Sequence, residues 1–511
     1  MPDWTAGYVA DIAYTYGYYG ELNPARIAHA FLNAGLAPPT IATACELGFG
    51  QGLSTAMHAA ASPVSWYGTD FNPTQASFAQ ELAAVSGSGA RLFDQSFEEF
   101  CTRDDLPDFD FIALHGIWSW ISDDNRKVIV DFVRRKLKVG GVLYISYNTE
   151  PGWVQMLPLR RMMTAHSRVM SPPGMSMTDK IERALEFAER LLETKPITAR
   201  ANPAMAERLK VLKTQPRNYL AHEYFNQDWD PMDFSDMAEW LAPAKLGFAC
   251  SAHVLDHVHA INLTLDQKKM LDEIPDAVLR ESMRDFMIGQ AFRRDLWVRG
   301  ARPMPRLESM EATGRLRVIL CSPRADITLK VKASLGEATM QPAVYDTVLD
   351  ILADYRPRTL AELEQQLAGK GVDVPAMLEA VLVLSGKGDL ALAQDKKVIA
   401  EAKPRCDKLN AHLINKARAG GDIAFLASPV TGGAVGVNRF EQLFLLARTE
   451  GKKSTAEYAG FVAALLASQG TQLVKDGKAV DDPQESMAML MDHATRFEAR
   501  LPVLRALGVV S

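Results

Sequence analysis

The sequence predicts an α/β fold with a doubly wound, mostly parallel sheet. From residue 41 onward, short apolar segments alternate with helical stretches, which is the pattern of a parallel sheet covered by helices on both faces. The first apolar segment, 41–45, leads into a loop with three glycines, and the second ends at the acidic residue Asp70. In such a sheet both features fall at the carboxyl ends of the strands, where ligands bind.

The glycine loop reads E-L-G-F-G-Q-G at 46–52 and predicts a close approach of the backbone to a ligand. Gly48 and Gly50 can adopt positive φ and carry no Cβ, and a helix predicted at 53–61 offers unpaired N–H groups just beyond Gly52. The spacing differs from the G-x-G-x-x-G of dinucleotide folds. Glu46 would oppose a pyrophosphate at this loop, whereas it would attract a ligand with an ammonium group.

Four more strands are predicted, at 64–69, 91–95, 109–114 and 142–147. Asp70 follows the first of these four and can accept hydrogen bonds from both hydroxyls of a ribose, and Phe71 can lie against a purine. Ser96 follows the next strand and opens a helix as a capping box with Glu99. His115 follows the strand after that. We therefore expect these side chains at one edge of the sheet, beside the glycine loop.

Motifs at these positions resemble those of class I S-adenosylmethionine-dependent methyltransferases. They are E-L-G-F-G-Q-G, Y-G-T-D-F-N at 67–72 and L-K-V-G-G-V-L-Y-I-S-Y at 137–147. Other motifs resemble the bacterial methyltransferases that carry a methyltransferase regulatory domain, a group that includes the rickettsial protein lysine methyltransferases. They are Y-G-Y-Y-G-E-L-N-P (16–24), L-H-G-I-W-S-W-I (114–121), Y-N-T-E-P-G-W (147–153), Y-L-A-H-E-Y-F (219–225) and L-A-S-P-V-T-G (426–432). The resemblance implies a Rossmann-like class I methyltransferase core with S-adenosylmethionine as the cofactor.

The resemblance also implies which residues hold the methionine end of the cofactor. Glu46 would do so together with the backbone of the loop. The loop glycines are Gly48, Gly50 and Gly52.

The nucleoside end would be held by residues that follow the next two strands. Asp70 would bind the ribose hydroxyls, and Phe71 would cover the adenine face. Ser96 and Phe97 would lie at the adenine edge. Many relatives have an acidic residue where Ser96 stands, so adenine recognition by backbone N–H groups or by Asp94 stays open.

His115 and three aromatic residues are the candidate catalytic residues on the acceptor side. His115 would contact the methionine moiety or orient the nucleophile, and a buried strand cap is its alternative role. Tyr16, Tyr19 and Trp118 would form an aromatic wall, because aromatic faces attract sulfonium and ammonium groups. Core packing is the alternative for Trp118 and for its neighbour Trp120, while the two tyrosines belong to a segment that can act as a lid.

Beyond the core, the sequence predicts additional modules. A sixth strand at 247–254 and a seventh, antiparallel strand at 294–299 would complete the sheet. The third helix of a winged-helix-like segment has no basic residue before Lys387, so this segment is expected to pack against protein and not to bind DNA. The predicted divisions are a methyltransferase domain at 1–300 with a helical insertion or regulatory region at 155–230, a β-rich linker and winged-helix-like domain at 301–400, and a C-terminal helical domain at 401–511.

Composition and residue spacing limit the binding partners, the cellular compartment and the metal sites to be expected. The 511 residues carry a net charge of −6, which gives no general reason to expect binding to nucleic acid or membrane. The five cysteines lie far apart without a C-x-x-C motif, a pattern that suits a cytoplasmic protein. No metal site is expected, because His253, His257 and His259 would share one face of the sixth strand without acidic or cysteine ligands nearby.

The expected activity is methyl transfer from S-adenosylmethionine to a protein substrate, with lysine favoured by the resemblance. RNA or a small metabolite as the acceptor is one alternative. A non-catalytic scaffold with a degenerate methyltransferase core is another. The sequence leaves a homodimer open.

Overall fold

Seven strands in the first 300 residues form one sheet in the order β3-β2-β1-β4-β5-β7-β6. The computed structural model describes residues 15–172, 174–226, 228–475 and 478–510. The strands are β1 (Thr43–Leu47), β2 (Ser65–Thr69), β3 (Arg91–Phe93), β4 (Phe109–Leu114), β5 (Leu137–Asn148), β6 (Gly247–Ser251) and β7 (Phe292–Val298). Only β7 runs antiparallel to its neighbours in this sheet. The predicted doubly wound, mostly parallel α/β class is confirmed.

Most residues of the central strands are buried because helices cover both faces of the sheet. In β4, five of six residues are buried, and in β1 four of five are buried. β1 lies two residues later than the predicted 41–45. Glu46 is therefore a strand residue, paired with Gly68 on one side and Ala113 on the other, and not the first residue of the loop.

Helices α1 to α5 pack around this sheet. They are α1 (Pro24–Asn33), α2 (Leu53–Ala61), α3 (Pro73–Ser86), α4 (Phe97–Cys101) and α5 (Asp123–Lys136). Asn23 caps α1 by accepting a hydrogen bond from the N–H of Ala25. The predicted capping box of Ser96 and Glu99 opens α4.

The chain between β5 and β6 is helical and has a hydrophobic cluster of its own. Its helices are α6 (Glu150–Trp153), α7 (Leu157–Met170), α8 (Met177–Glu193), α9 (Ile197–Ala201), α10 (Ala204–Thr214), α11 (Arg217–Tyr224) and α12 (Phe234–Leu241). The cluster contains Trp153, Met163 and Tyr224, so many helices of the insertion pack against one another around a separate hydrophobic core.

Three helices lie between β6 and β7: α13 (His259–Asn262), α14 (Leu265–Asp272) and α15 (Ala277–Ile288). α14 and α15 are separated at Pro275, which cannot donate to a continuing helix. β6 ends at Ser251, so the three histidines lie on a turn and on α13, not on a strand. The His257 ring lies between the Ser251 carbonyl, 2.7 Å from Nε2, and the Asn33 amide, 2.9 Å from Nδ1.

The segment after residue 305 combines a small sheet with helices. The elements are α16 (Arg306–Arg315), β8 (Arg317–Leu320), β9 (Lys330–Ala333), β10 (Gly336–Thr339), α17 (Pro342–Leu352), β11 (Arg358–Thr359), α18 (Leu360–Leu367), α19 (Val374–Lys387) and β12 (Leu390–Ala393). β11 and β12 pair with β8 on either side, with α17 to α19 around them. The first part of the expected β-rich linker, 306–315, is helical.

The C-terminal region packs on the core through α2. Its elements are α20 (Lys396–Lys416), β13 (Phe425–Ser428), β14 (Gly433–Gly436), α21 (Arg439–Thr449), α22 (Thr455–Ser468), β15 (Val474–Lys475), β16 (Lys478–Ala479) and α23 (Pro483–Ala506). Every residue of α2 is buried. Leu53 and Met57 of α2 belong to one hydrophobic cluster with Cys406, Leu409 and Leu413 of α20.

Among the described residues, no helix combines the length and the apolar character that a membrane span requires. Within the same residues, no group of three or more His, Cys, Asp or Glu side chains could hold a metal ion.

Candidate functional site

A cavity of about 270 Å³ opens at the carboxyl ends of β1, β2 and β4. Most of the residues that the sequence predicts for the site line this cavity. They are Tyr19, Gly48, Gly50, Asp70, Phe71, Ser96, Phe97 and His115. Glu46, Gly52, Tyr16 and Trp118 do not line it.

The glycine loop forms the floor of the cavity with backbone atoms. Gly48 has φ +73° and Gly50 has φ +58°, a region that other residues rarely adopt. A Cβ on Gly48 would lie 2.5 Å from the Ile117 side chain, so the loop requires glycine there for packing as well. Gly52 caps α2 and faces Ala79 of α3, with which a side chain would collide. Gly52 therefore holds the loop in place instead of lining the cavity.

Asp70 is a buried carboxyl at the wall of the cavity. Its Oδ2 accepts a hydrogen bond from the N–H of Gly50 at 2.9 Å, and its Oδ1 accepts one from the N–H of Asn72 at 3.0 Å. A carboxylate has about four acceptor positions, so these bonds leave capacity for hydroxyl donors of a ligand. Burial raises the pKa of Asp70 to about 7, although both N–H donors act in the opposite direction.

Glu46 lies beneath the loop, not in the cavity. Its carboxyl accepts a hydrogen bond from the Thr55 hydroxyl of α2, and the residue is 1% exposed. Burial raises its pKa to about 7, the Thr55 bond lowers it, and the neighbouring Asp70 raises it further. Its position inside β1 explains the difference from the prediction, because a strand side chain at this register points into the packed face below the loop.

The expected adenine end of the cavity is lined by Phe71, Gln95, Ser96 and Phe97. Ser96 holds the start of α4, since its hydroxyl accepts from the N–H of Glu99 at 3.2 Å. Asp94 is exposed and does not line the cavity. Of the two alternatives for adenine recognition, the geometry therefore favours backbone groups near Gln95 to Phe97.

His115 and Tyr19 form a stacked pair on the other side of the cavity. Their ring centroids are 3.5 Å apart with an angle of 21° between the planes. The Nδ1 atom of His115 lies 2.8 Å from the Tyr144 hydroxyl, which fixes the imidazole orientation. Burial lowers the pKa of His115 to about 4, with Glu21 raising it and Arg294 lowering it further. The imidazole is therefore neutral at physiological pH.

Trp120, and not Trp118, contributes the indole ring that lines the cavity. The two residues belong to a single 3₁₀ turn, Trp118–Trp120, so their side chains point in different directions. Trp118 is fully buried, and its Nε1 lies 3.2 Å from the sulfur of Met232. Tyr16 packs edge-to-face against Phe78 of α3, 5.3 Å between centroids, away from the cavity lining.

Sequence reasoning missed Phe49, Ile117 and Asp228 as cavity residues. Phe49 lies within G-F-G and Ile117 within H-G-I, but an apolar side chain in such a motif does not by itself indicate contact with a ligand. Asp228 comes from the connection between α11 and α12, more than 100 residues away along the chain. No local pattern marks it, because only the tertiary fold brings this connection to the β4 edge, where the N–H of Asp230 donates to the Ser119 carbonyl at 2.9 Å.

Comparisons with known proteins identify the family. A family model described as a methyltransferase domain matches residues 45–145, and one described as a predicted methyltransferase regulatory domain matches 216–299. The uncharacterized protein sll1526 of Synechocystis sp. is 40% identical over 512 residues, which covers 99% of each chain. The chain belongs to the class I S-adenosylmethionine-dependent methyltransferases that carry a methyltransferase regulatory domain.

Other relatives of this methyltransferase come from Rickettsia. A protein of Rickettsia prowazekii is 30% identical over 202 residues, 38% of this chain and 77% of the relative. PKMT2 from Rickettsia typhi, solved in complex with AdoHcy, matches with a TM-score of 0.68 and 18% identity. That match covers 97% of this chain and 100% of PKMT2, so the two share the fold over nearly their full length. The regulatory-domain match begins after the 155–215 helices and includes β6 and β7.

The residues of the methyltransferase cavity fit S-adenosylmethionine. Asp70 presents a carboxyl with acceptor capacity for ribose hydroxyls, and the backbone of Gly48 and Gly50 is free of side chains toward the cavity. The acidic side chains among the described lining residues are Asp70, Glu98 and Asp228, and no lysine or arginine stands beside them in this lining. Acidic groups with a neutral His115 suit a ligand that carries positive charge on sulfur and nitrogen.

Proposed function

We propose that this methyltransferase transfers methyl groups from S-adenosylmethionine to protein side chains, with lysine as the acceptor. The observation that carries the proposal is the lining of the cavity, which combines aromatic rings with acidic side chains. A lysine side chain suits such a lining, because aromatic faces attract ammonium groups and the carbon stem packs on apolar surface. The resemblance of the sequence motifs to those of the rickettsial protein lysine methyltransferases supports lysine as the acceptor.

The cofactor end of the reaction needs binding and alignment more than proton chemistry. S-adenosylmethionine supplies a methyl group on a sulfonium, which is already a good leaving group. In this proposal Asp70 holds the ribose, the Gly48–Gly50 backbone holds the methionine end, and Phe71 and Phe97 enclose the adenine; all of them belong to the segments that line the cavity. Correct alignment of the two reacting atoms in a site closed to water is the main contribution to rate.

The acceptor amine must be neutral when it attacks. Partial burial beside a positive charge lowers the pKa of a lysine and favours the neutral form. With a pKa of about 4, His115 is too weak a base to keep a proton taken from the amine. We infer that the proton leaves to water before transfer, and that His115, Tyr19 and Trp120 orient the amine along the axis of the sulfur–methyl bond.

The test is methylation of a cell extract with S-adenosylmethionine labelled on the methyl group. Parallel samples are treated with protease, with nuclease, or by removal of small molecules, and labelled peptides are analysed by mass spectrometry. We expect the label to be released by protease and to map to lysine side chains. Label that is released by nuclease would identify RNA as the acceptor, and label that leaves with the small molecules would identify a metabolite. Either result would contradict a protein acceptor.

A binding-deficient variant controls for contaminating enzymes. Asp70→Asn has nearly the same volume and should abolish most labelling, because it weakens the bond to the ribose hydroxyls. Asp94→Asn lies at the same edge of the sheet but outside the cavity, and should label like the unchanged protein. Equal labelling by Asp70→Asn would assign the activity to another protein in the sample.

A further inference from the structure

The N-terminal strap, residues 15–23, carries Tyr19 across the cavity. On one side it is attached to α2 of the core. The N–H of Tyr19 donates to the Ser54 hydroxyl at 3.1 Å, and the Tyr19 carbonyl lies 3.1 Å from Nε2 of His58. The Tyr19 ring then reaches His115, on which it stacks. The strap thus sets one wall of the acceptor side.

The other side of the strap contacts the C-terminal hairpin, residues 425–436, which comprises β13, its turn and β14. Asn23 donates from its side-chain amide to the Thr431 carbonyl at 2.8 Å, in a buried position. The Tyr18 ring lies 5.6 Å from the ring of Phe425. The Tyr18 hydroxyl contacts the backbone of Ala434 and the side chain of Asn23.

Gly433 of the hairpin lies directly against the strap. A Cβ at this position would overlap the Tyr18 hydroxyl and would lie 3.1 Å from the Asn23 amide. Gly436, at the other end of the same strand, has room for a side chain, since its Cβ would meet only the Ala424 carbonyl at 4.0 Å. The absence of a side chain at 433 therefore lets the hairpin seat Tyr18 and Asn23.

We propose that the C-terminal hairpin positions the acceptor side of the catalytic cavity, with Tyr18, Asn23 and Gly433 as positioning residues that hold Tyr19 on His115. The inference rests on the methyl transfer proposed above. Tyr18 and Tyr19 are adjacent and directly precede the short 3₁₀ helix Gly20–Leu22, so a shift of Tyr18 is passed to Tyr19 through one peptide unit. The hairpin supplies contacts that offset the entropy of ordering this segment.

The strap also carries the charge that faces His115. Glu21 pairs with Arg294 of β7 at 2.8 Å, and Arg26 and Arg294 hold the pKa of Glu21 at about 2 against the effect of burial. Tyr19, Glu21, Tyr144 and Arg294 therefore make up the polar surroundings of His115. A displaced strap would admit water to the imidazole and raise its pKa toward 6.5, and this effect outweighs the loss of Glu21, because burial is the largest influence on the pKa of His115.

The test compares Gly433→Ala with Gly436→Ala in the full chain. We expect Gly433→Ala to lower kcat for methyl transfer by about tenfold or more, since small misalignments of reacting groups have large effects on rate. The Kd for S-adenosylmethionine should stay close to that of the unchanged protein, because Asp70 and the glycine loop are untouched. Gly436→Ala should behave as the unchanged protein in both measurements.

A second variant tests the contact itself. Tyr18→Phe removes the hydroxyl that the new methyl group would strike, so Gly433→Ala combined with Tyr18→Phe should recover part of the lost kcat. Such recovery shows that the two positions are coupled, which general destabilisation by the alanine would not produce. The inference is overturned if Gly433→Ala keeps the kcat of the unchanged protein, or if its loss of rate is additive with that of Tyr18→Phe.

A measurement without an acceptor separates this inference from the proposed function. Titration of the His115 ring by NMR should show a pKa near 4 in the unchanged protein and a higher value in Gly433→Ala. A rise of this kind supports the positioning role even if the acceptor is not a protein. An unchanged titration in a folded Gly433→Ala variant refutes it, whatever the acceptor is.

Discussion

Asp70 and Glu46 are two neighbouring buried carboxyls whose raised pKa values make both stability and ligand affinity depend on pH near neutrality. Both values are about 7, whereas an unfolded chain has values near 4. The folded protein therefore holds these protons more tightly, so the carboxyls' contribution to the free energy of unfolding falls as pH rises from about 4 through about 7. A bound cationic ligand with ribose hydroxyls favours the ionised carboxylates, whereas the folded protein without the ligand favours the protonated carboxyls.

The Kd for S-adenosylmethionine should consequently fall as pH increases from 6 to 8. With a pKa of about 7, Asp70 is about one tenth ionised at pH 6 and about nine tenths ionised at pH 8, so affinity should rise up to about tenfold. Isothermal titration calorimetry of the unchanged protein and of Asp70→Asn isolates this effect, because titration of the ligand is common to both. An identical pH dependence in the two proteins would exclude Asp70 as its source.

Asp70→Asn should also weaken binding at a fixed pH. Loss of a charge-assisted hydrogen bond costs about 1.5–3 kcal/mol, which corresponds to roughly 10- to 100-fold in Kd. Asp94→Asn provides the matched control, and its Kd should be unchanged. Weaker binding of S-adenosylmethionine by Asp94→Asn would indicate that Asp94 contributes to the adenine site.

Single residues were predictable where the strand ends were predictable. Asp70, Phe71, Ser96 and His115 follow strands whose apolar runs are plain in the sequence, and all four line the cavity. Glu46 was misplaced because an apolar run does not say at which residue a strand ends. Trp118 and Trp120 could not be told apart, because the sequence does not show that they share a 3₁₀ turn.

At the scale of elements, α2 is the helix on which the site depends. It follows the glycine loop, binds Glu46 through Thr55, and holds the strap through Ser54 and His58. Its sequence, L-S-T-A-M-H-A-A-A, predicts a helix correctly. It could not show that every residue is buried, because the partners on α20 lie about 350 residues later.

Packing between α2 and α20 should therefore contribute strongly to stability. Leu409 is fully buried in the cluster that joins the two helices. Leu409→Ala should cost about 2–5 kcal/mol through lost burial and a cavity, and should lower the midpoint of thermal unfolding by several degrees. Leu307→Ala is the matched control, since Leu307 is 69% exposed and its truncation should leave the midpoint unchanged. Equal midpoints of thermal unfolding for the two variants would contradict a contribution of the α2–α20 interface to stability.

At the scale of the whole molecule, the catalytic cavity is completed by parts that lie far apart in sequence. The strap is N-terminal, the glycine loop and β4 belong to the core, Asp228 belongs to the helical insertion, and the hairpin belongs to the C-terminal region. The sequence predicted the core sheet in detail because its strands are continuous apolar runs. It predicted the modules only as separate units, because contacts between distant segments leave no periodic pattern.

Removal of the C-terminal region should accordingly disable the core. A chain that ends at Gln394 would expose the apolar face of α2 and lose the Asn23–Thr431 bond. We expect it to aggregate in gel filtration and to lose methyl transfer, and we expect co-expression of residues 395–511 as a separate chain to restore a complex. A truncated chain that stays monomeric and fully active would show that the core stands alone.

The bond from Asn23 to Thr431 also has a consequence for synthesis on the ribosome. The two residues are 408 positions apart, and at roughly 5–20 residues per second the ribosome needs about 20 to 80 s to pass from one to the other. During that interval the wall carried by Tyr19 lacks its distant anchor, and α2 lacks its partners on α20. The enzyme would then become competent only late in translation.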